Sequence, residues 1–199
     1  MKIFDSHCHL DDKRYRKDIA RVIERAHQNG VTRMMTVGVD KKTAERAVKL
    51  AASHPGIFAS VGFHPHDASQ CSADELDFLT ELAQNPRVKA WGEIGLDYNR
   101  MYSPREDQER WFIRQLQIAA ELNLPVIFHE RDTNGRFLEI LKTDFKNESA
   151  GVVHCFSGTA PELEHYLDLG LYIGITGILT LRARGADLRE MVPQIPANR

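Results

Sequence analysis

The sequence has no basic surplus: 26 Lys and Arg stand against 28 Asp and Glu, a net charge of −2. A protein that coats nucleic acid by neutralising many phosphates carries a basic excess or a basic stripe. Any grip on nucleic acid here is therefore confined to a few phosphates at a cleft. Cysteine is scarce as well. Cys8, Cys71 and Cys155 are odd in number and form no CxxC pair, which argues against a disulfide framework and a cysteine-rich zinc site; they read as small buried hydrophobes. No run approaches the roughly 20 apolar residues of a membrane span, so no membrane partner is expected. The start, Met1-Lys2-Ile3-Phe4-Asp5-Ser6-His7, turns polar too soon for a secretory leader, and the expected location is the cytoplasm. No low-complexity tract, Pro/Gly/Ser linker or break in composition divides the chain. With 42% apolar residues, residues 1–199 are expected to form one domain around a sizeable core.

What is present is alternation. Short runs rich in Val, Ile and Phe alternate with longer stretches of helical periodicity, the pattern of successive βα units around a parallel sheet. Strands are expected at Lys2–Asp5, Arg33–Val39, Ile57–Gly62, Val88–Glu93, Val126–His129, Gly151–Cys155 and Leu171–Ile175. Helices are expected at Arg16–Asn29, Lys42–Ser53, Ala73–Gln84, Arg105–Leu122, Gly135–Thr143, Pro161–Leu169 and Gly185–Met191. Gly30 and Gly170 follow the first and sixth helices, and Pro104 opens the fourth just after a plausible cap, Ser103. In the fourth helix, Trp111, Phe112, Gln115, Leu116, Ile118, Ala119 and Leu122 recur mostly at spacings of three and four, which sets that face on the sheet. Periodicity alone does not separate an open doubly wound sheet from a TIM-type barrel. The missing phosphate-loop fingerprints and the polar residues at the strand ends favour the barrel.

Strand one runs into His7-Cys8-His9. Alternate residues of an extended segment point the same way, so both imidazoles can aim at one point while Cys8 turns away, a ready pair of metal ligands. Val126-Ile127-Phe128-His129, Val152-Val153-His154 and Val61-Gly62-Phe63-His64 each finish an apolar strand with histidine, and Trp91-Gly92-Glu93 finishes another with glutamate. In a parallel barrel those C-terminal strand ends converge on one face. A lone histidine there is more often structural. So many polar side chains from different strands are hard to bury without a strong partner such as a metal ion. Mixed imidazole and carboxylate donors suit Zn²⁺ or Mn²⁺, with Mg²⁺ less natural, and Glu93 has the chemistry to bridge two ions that activate a water and steady a leaving oxygen.

Phe4-Asp5-Ser6-His7-Cys8-His9-Leu10-Asp11, Gly62-Phe63-His64-Pro65, Gly92-Glu93-Ile94-Gly95-Leu96-Asp97-Tyr98, Val126-Ile127-Phe128-His129 and His154-Cys155-Phe156-Ser157-Gly158 together resemble the TatD family of metal-dependent deoxyribonucleases, in the family's order and over nearly the whole chain. The resemblance implies a TIM (β/α)8-type barrel of the amidohydrolase-like group, with about seven βα units in this chain. It also implies hydrolysis of DNA or small phosphodiesters, as a 3′-5′ exonuclease, with two divalent metal ions (Zn, Mn or Mg). On that resemblance His7 and His9 bind one ion, Glu93 bridges, and His129 and His154 bind the second. His64 lies near the substrate phosphate, and Asp97 orients water or a ligand. From position alone, Arg131, Ser157 and Gly158 are candidate phosphate contacts, Arg131 through its planar fork. His27, His54, His66 and His165 read as surface or structural residues, as do Lys2 and Lys89, and Asp11-Asp12-Lys13-Arg14 reads as a solvated loop.

The family pattern continues into an eighth strand that ends in a metal-binding aspartate, whereas this sequence reaches Pro193–Arg199 where that strand would begin. The expectation is a barrel whose first and seventh strands each lack a neighbour, covered by an oligomer or a second chain. Two other functions compete. One is a cyclic amidohydrolase or lactonase, many of which bridge their metals with a carboxylated lysine; here Glu93 takes that place and Lys89 falls near the strand's other end. The other is a non-catalytic protein with an incomplete metal site.

Overall fold

The computed structural model describes residues 2–145 and 150–199. Its strands are β1 (Ile3–Cys8), β2 (Val31–Val37), β3 (Ile57–Val61), β4 (Val88–Asp97), β5 (Val126–Arg131), β6 (Gly151–Val153) and β7 (Tyr172–Ile173). Its helices are α1 (Ile19–Gln28), α2 (Lys41–Ser53), α3 (Ala73–Leu82), α4 (Arg105–Glu121), α5 (Arg136–Asp144), α6 (Ala160–Asp168) and α7 (Ala186–Met191). The strands form one sheet in sequence order, β1 to β7, every neighbouring pair parallel. A helix follows each strand, so the chain is a TIM-barrel-like α/β fold of seven βα units.

Helices begin where side chains satisfy the free N–H groups of a first turn. Asp40 accepts from the Thr43 amide at 2.6 Å, and Thr43 Oγ1 returns a bond to the Asp40 backbone, a capping box that starts α2. Ser72 does the same work for α3, accepting from Glu75. The larger apolar layer lies between sheet and helices and includes Val61, Trp91, Phe128, Phe112, Phe137 and Tyr166. A smaller cluster of Met35, Val37, Ala90 and Ile127 comes from the alternate residues of their strands and lies on the opposite face of the sheet.

The predicted strands and helices are all present, with three informative shifts. β7 is only two residues long. Its Ile173 N–H donates to the carbonyl of Arg199 at 2.9 Å, so the far edge of β7 meets the chain again. β1 pairs with β2 alone among the described residues, and its Ile3 and Phe4 are exposed. β4 runs four residues past Glu93, to Asp97, with a register shift between Gly92 and Ile94. Glu93 therefore lies inside its strand, and Asp97, taken as a residue beyond it, is its last member.

The inner face of α4 does more than pack. Phe112, Leu116, Ile118 and Ala119 are buried there as expected, while Trp111 is only partly covered. Two glutamines share that face. Gln115 Oε1 accepts from the Phe63 N–H at 2.7 Å and from the Trp91 indole at 3.3 Å, and its amide donates to the Phe63 carbonyl at 3.0 Å. Gln108 grips the backbone of Asp97 in the same way, at 2.8 and 3.1 Å. α4 thus sets the two chain segments that carry His64 and Asp97. Gln115→Leu should cost about 2–4 kcal/mol, since it orphans buried backbone groups at roughly 1–3 kcal/mol each. Urea denaturation reads that loss as a lower midpoint at unchanged slope.

Candidate metal centre

His7 is the penultimate residue of β1 and its ring stacks on that of His154, with centroids 3.4 Å apart and planes within 8°. Two protonated imidazoles would repel at that distance. Burial, and then the neighbouring His7, push His154 down to about 4, so it presents a neutral ring with a lone pair. His7 Nε2 lies 3.3 Å from Glu93 Oε2. His9, two residues on, stands edge-on to His7 at 5.3 Å, and its Nδ1 is 3.2 Å from the Val37 carbonyl. A proton on Nδ1 would be held there and leave Nε2 as the free donor atom, the usual way a backbone carbonyl orients a ligating histidine.

Glu93 reaches this point because of the glycines beside it. Gly95 has φ +145°, outside the range side chains favour, and a Cβ there would collide with the carbonyl of His129. That absence lets β4 run tight against β5, with Gly95 opposite His129 and Asp97 opposite Arg131. The carboxylate of Glu93 is consequently shared: Oε2 faces His7, while Oε1 sits 3.0 Å from His129 Nδ1 and 3.8 Å from His64 Nε2. Burial raises the Glu93 carboxyl, but hydrogen bonds from His129 and His7 outweigh it and hold the group well below the usual carboxylate range.

The other ring nitrogen of His129, Nε2, lies 3.1 Å from Asp97 Oδ2, and His66 Nε2 lies 2.7 Å from the same oxygen. Burial depresses His129, yet the bonds to Asp97 and Glu93 carry it up to about 9. Asp97 is held low by those partners against the opposing effect of burial. A carboxylate behind a histidine that faces the centre with its other nitrogen is the usual second layer of a metal site. Asp97→Asn should therefore weaken divalent-ion affinity by about 10–100-fold, measured by competition with a chromophoric chelator.

The donor set fits a divalent ion. His7, Glu93 and His154 each offer one atom within 4.8 Å of the others, and so do His64, His66 and His129. Ligands at roughly 2.0–2.1 Å around a tetrahedral ion are about 3.3 Å apart; His7 to Glu93 is 3.3 Å and His129 to Glu93 is 3.0 Å. Imidazole nitrogens and one carboxylate favour Zn²⁺ or Mn²⁺ over Mg²⁺.

The structure brings His7, His9, His64, Glu93, Asp97, His129 and His154 into one neighbourhood. Arg131, Ser157 and Gly158 line a cavity of about 410 Å³ beside it, walled also by Glu130 and by Arg184. Three expectations differ from the structure. His66, expected as a surface or structural residue, bonds to Asp97 and packs edge-on to His64 at 4.3 Å. Its signal was present: His64-Pro65-His66 repeats the spacing of His7-Cys8-His9. Asp11 is not a solvated loop residue, because Arg46 of α2 pairs with it at 3.1 Å and covers it. Cys71 is buried, whereas Cys8 and Cys155 are only partly covered. His54 and His165 bond to helix carbonyls, in keeping with structural roles.

Comparison with known proteins agrees with this geometry. The sequence pattern of the family described as TatD related DNase matches residues 4–199. The "3'-5' ssDNA/RNA exonuclease TatD" of Escherichia fergusonii is 41% identical over 197 residues, 99% of this chain and 76% of that protein. The protein of the same name from Erwinia tasmaniensis is 43% identical over 198 residues, again 99% and 76%. Among solved structures, a TatD family hydrolase from Entamoeba histolytica superposes with a TM-score of 0.88 at 27% identity, covering 98% of this chain and 71% of that one. A TatD homologue from Escherichia coli gives 0.87 at 29%, covering 98% and 75%.

Proposed function

The chain belongs to the TatD-related DNase family, and from that premise we propose that it is a divalent-metal-dependent nuclease that hydrolyses phosphodiesters of single-stranded nucleic acid from the 3′ end. The observation that carries this reading is the Glu93 carboxylate, placed with one oxygen toward His7 and the other toward His129. His7, His9, Glu93, His129 and His154 would hold two ions. Bound there, divalent cations would supply the charge that activates water and stabilises a leaving oxygen.

The chain's own residues do the rest. The His66 N–H donates to His64 Nδ1 at 3.1 Å, which places the ring proton of His64 on Nε2, toward Glu93. Burial holds His64 down to about 3, so it acts as a neutral hydrogen-bond donor to a phosphate oxygen. Asp97 keeps His129 and His66 in orientation. Arg131, Ser157 and Gly158 provide a guanidinium, a hydroxyl and a backbone N–H for the same strand. Residues 1–199 act as one catalytic domain in this reading. With few phosphates gripped, binding to an oligonucleotide should weaken by roughly 0.7 log unit per contact per decade of salt, giving a slope no steeper than about −3; fluorescence anisotropy at several salt concentrations measures it.

The deciding assay is hydrolysis of end-labelled single-stranded DNA and RNA, a cyclic amide and a lactone, by chelated protein and after return of Zn²⁺, Mn²⁺ or Mg²⁺. Expected is no turnover after chelation, recovery on metal return, and loss from the 3′ end. Preferential turnover of the cyclic amide or lactone would put the chain in the competing class.

A further inference from the structure

The cavity beside the metal centre has more chemistry than the phosphate contacts assigned to it. Its floor follows directly from the centre: Glu130 and Arg131 succeed His129 in β5, and Ser157 lies three residues after His154. Its volume of about 410 Å³ falls at the small end of ligand sites, ~300–1,000 Å³, room for one nucleotide and not a run of several.

Its polar groups divide into two sets. Some carboxylates are already engaged: Glu130 accepts from Thr133 at 2.7 Å, Glu162 from Thr159 at 2.8 Å, and Asp132 from Asn99 at 2.6 Å. The side chains of Arg131, Asn134, Ser157, Arg184 and Asp187 line the same space and make no hydrogen bond or ion pair among the described residues. The free set holds two guanidiniums, one carboxylate, one amide and one hydroxyl. A bare phosphate would gain from the arginines and be repelled by Asp187. A nucleotide uses all of them, because guanidiniums take a phosphate or stack on a base while a carboxylate and an amide meet the N–H groups of a base edge.

Arg184 is not on a loose loop. Arg189 of α7 donates to the carbonyls of Leu179 at 2.7 Å, Leu181 at 3.1 Å and Arg182 at 2.8 Å. One side chain thus ties three carbonyls within residues 179–182, just ahead of Arg184, while Leu188 and Met191 anchor α7 in the core. Such pre-ordering lowers the entropy cost of binding.

We propose that this cavity receives the terminal nucleotide of the strand, 3′ to the bond being cut, and that Arg184 and Asp187 are its specificity-determining contacts. This rests on the nuclease reading above. Calorimetric titration of the metal-loaded protein with deoxyadenosine 5′-monophosphate, and with inorganic phosphate as the comparison, reads the cavity without turnover. The nucleotide should bind at least about tenfold more tightly than phosphate. Arg184→Ala should weaken nucleotide binding by about tenfold or more, the loss of one charge-assisted contact, and raise KM for an oligonucleotide in proportion with a much smaller change in kcat. Arg184→Lys should recover part of the loss, since it restores charge without the planar fork. Arg184 is exposed, and circular dichroism checks that the variants fold. Nucleotide affinity equal to that for phosphate, or unchanged in Arg184→Ala, would overturn the inference. Failure of the wild type to hydrolyse any oligonucleotide would sink the nuclease reading alone, and the titration would still decide the cavity.

Discussion

Glu93→Gln should lower phosphodiester turnover on the order of 10³-fold, about 4 kcal/mol of transition-state stabilisation, while leaving the fold intact. The two Glu93 oxygens are not equivalent spectators: Oε2 is 3.3 Å from His7, and Oε1 is 3.0 Å from His129. A carboxylate offers both as anionic donors. An amide offers one neutral oxygen and one N–H₂, so it satisfies one side only and removes the negative charge between two cationic positions. The change is nearly isosteric, and Glu93 is 5% exposed, so packing is preserved. Metal content by mass spectrometry should fall with activity. A variant that keeps wild-type turnover would remove Glu93 from the mechanism, and one that loses turnover with full metal content would confine its role to chemistry after binding.

Gly95→Ala is expected to have the largest effect on stability of any single methyl addition near the centre. Its φ of +145° is strained for a side chain, and the new Cβ would meet the His129 carbonyl across the β4–β5 ladder. Strain of about 1–3 kcal/mol and overpacking of similar size add to roughly 2–6 kcal/mol. A domain of this size loses about 2–4 °C of Tm per kcal/mol, so the midpoint should fall by roughly 4–24 °C. Relief of the collision by separating the strands would carry His129 away from Glu93, and divalent-ion affinity should fall with it. An unchanged midpoint would mean that β4 and β5 do not approach as closely as the register implies.

The βα alternation was legible because strand and helix periods differ, and the parallel order follows once helices separate the strands. The convergence of His7, His64, Glu93, His129 and His154 was also legible, because the first strand runs into His7, the others each close an apolar run, and parallel strands point those ends the same way. Less legible was anything set by contact across the sheet. β4 was expected to stop at Glu93, with Asp97 just past it; only its fit against β5 keeps the strand going and puts Asp97 behind His129. His66 lies beyond a strand end; His64-Pro65-His66 repeats the spacing of His7-Cys8-His9, but no periodicity shows that the turn from Pro65 returns it to Asp97. Asp11 read as solvated because its partner, Arg46, is 35 residues away. The Arg184 cavity wall was invisible for the same reason, being joined to β5 and β6 only in space.

The two-ion centre is tested most directly by anomalous X-ray scattering from crystals equilibrated with Zn²⁺ or Mn²⁺, recorded at the metal's absorption edge. Density is expected within about 2.0–2.3 Å of ligand atoms of Glu93 and of the histidines on either side of it, His7 and His9 with one ion, His129 and His154 with the other. Saturating metal that leaves Glu93 and these histidines without an ion, or that orders only at other residues, would contradict it.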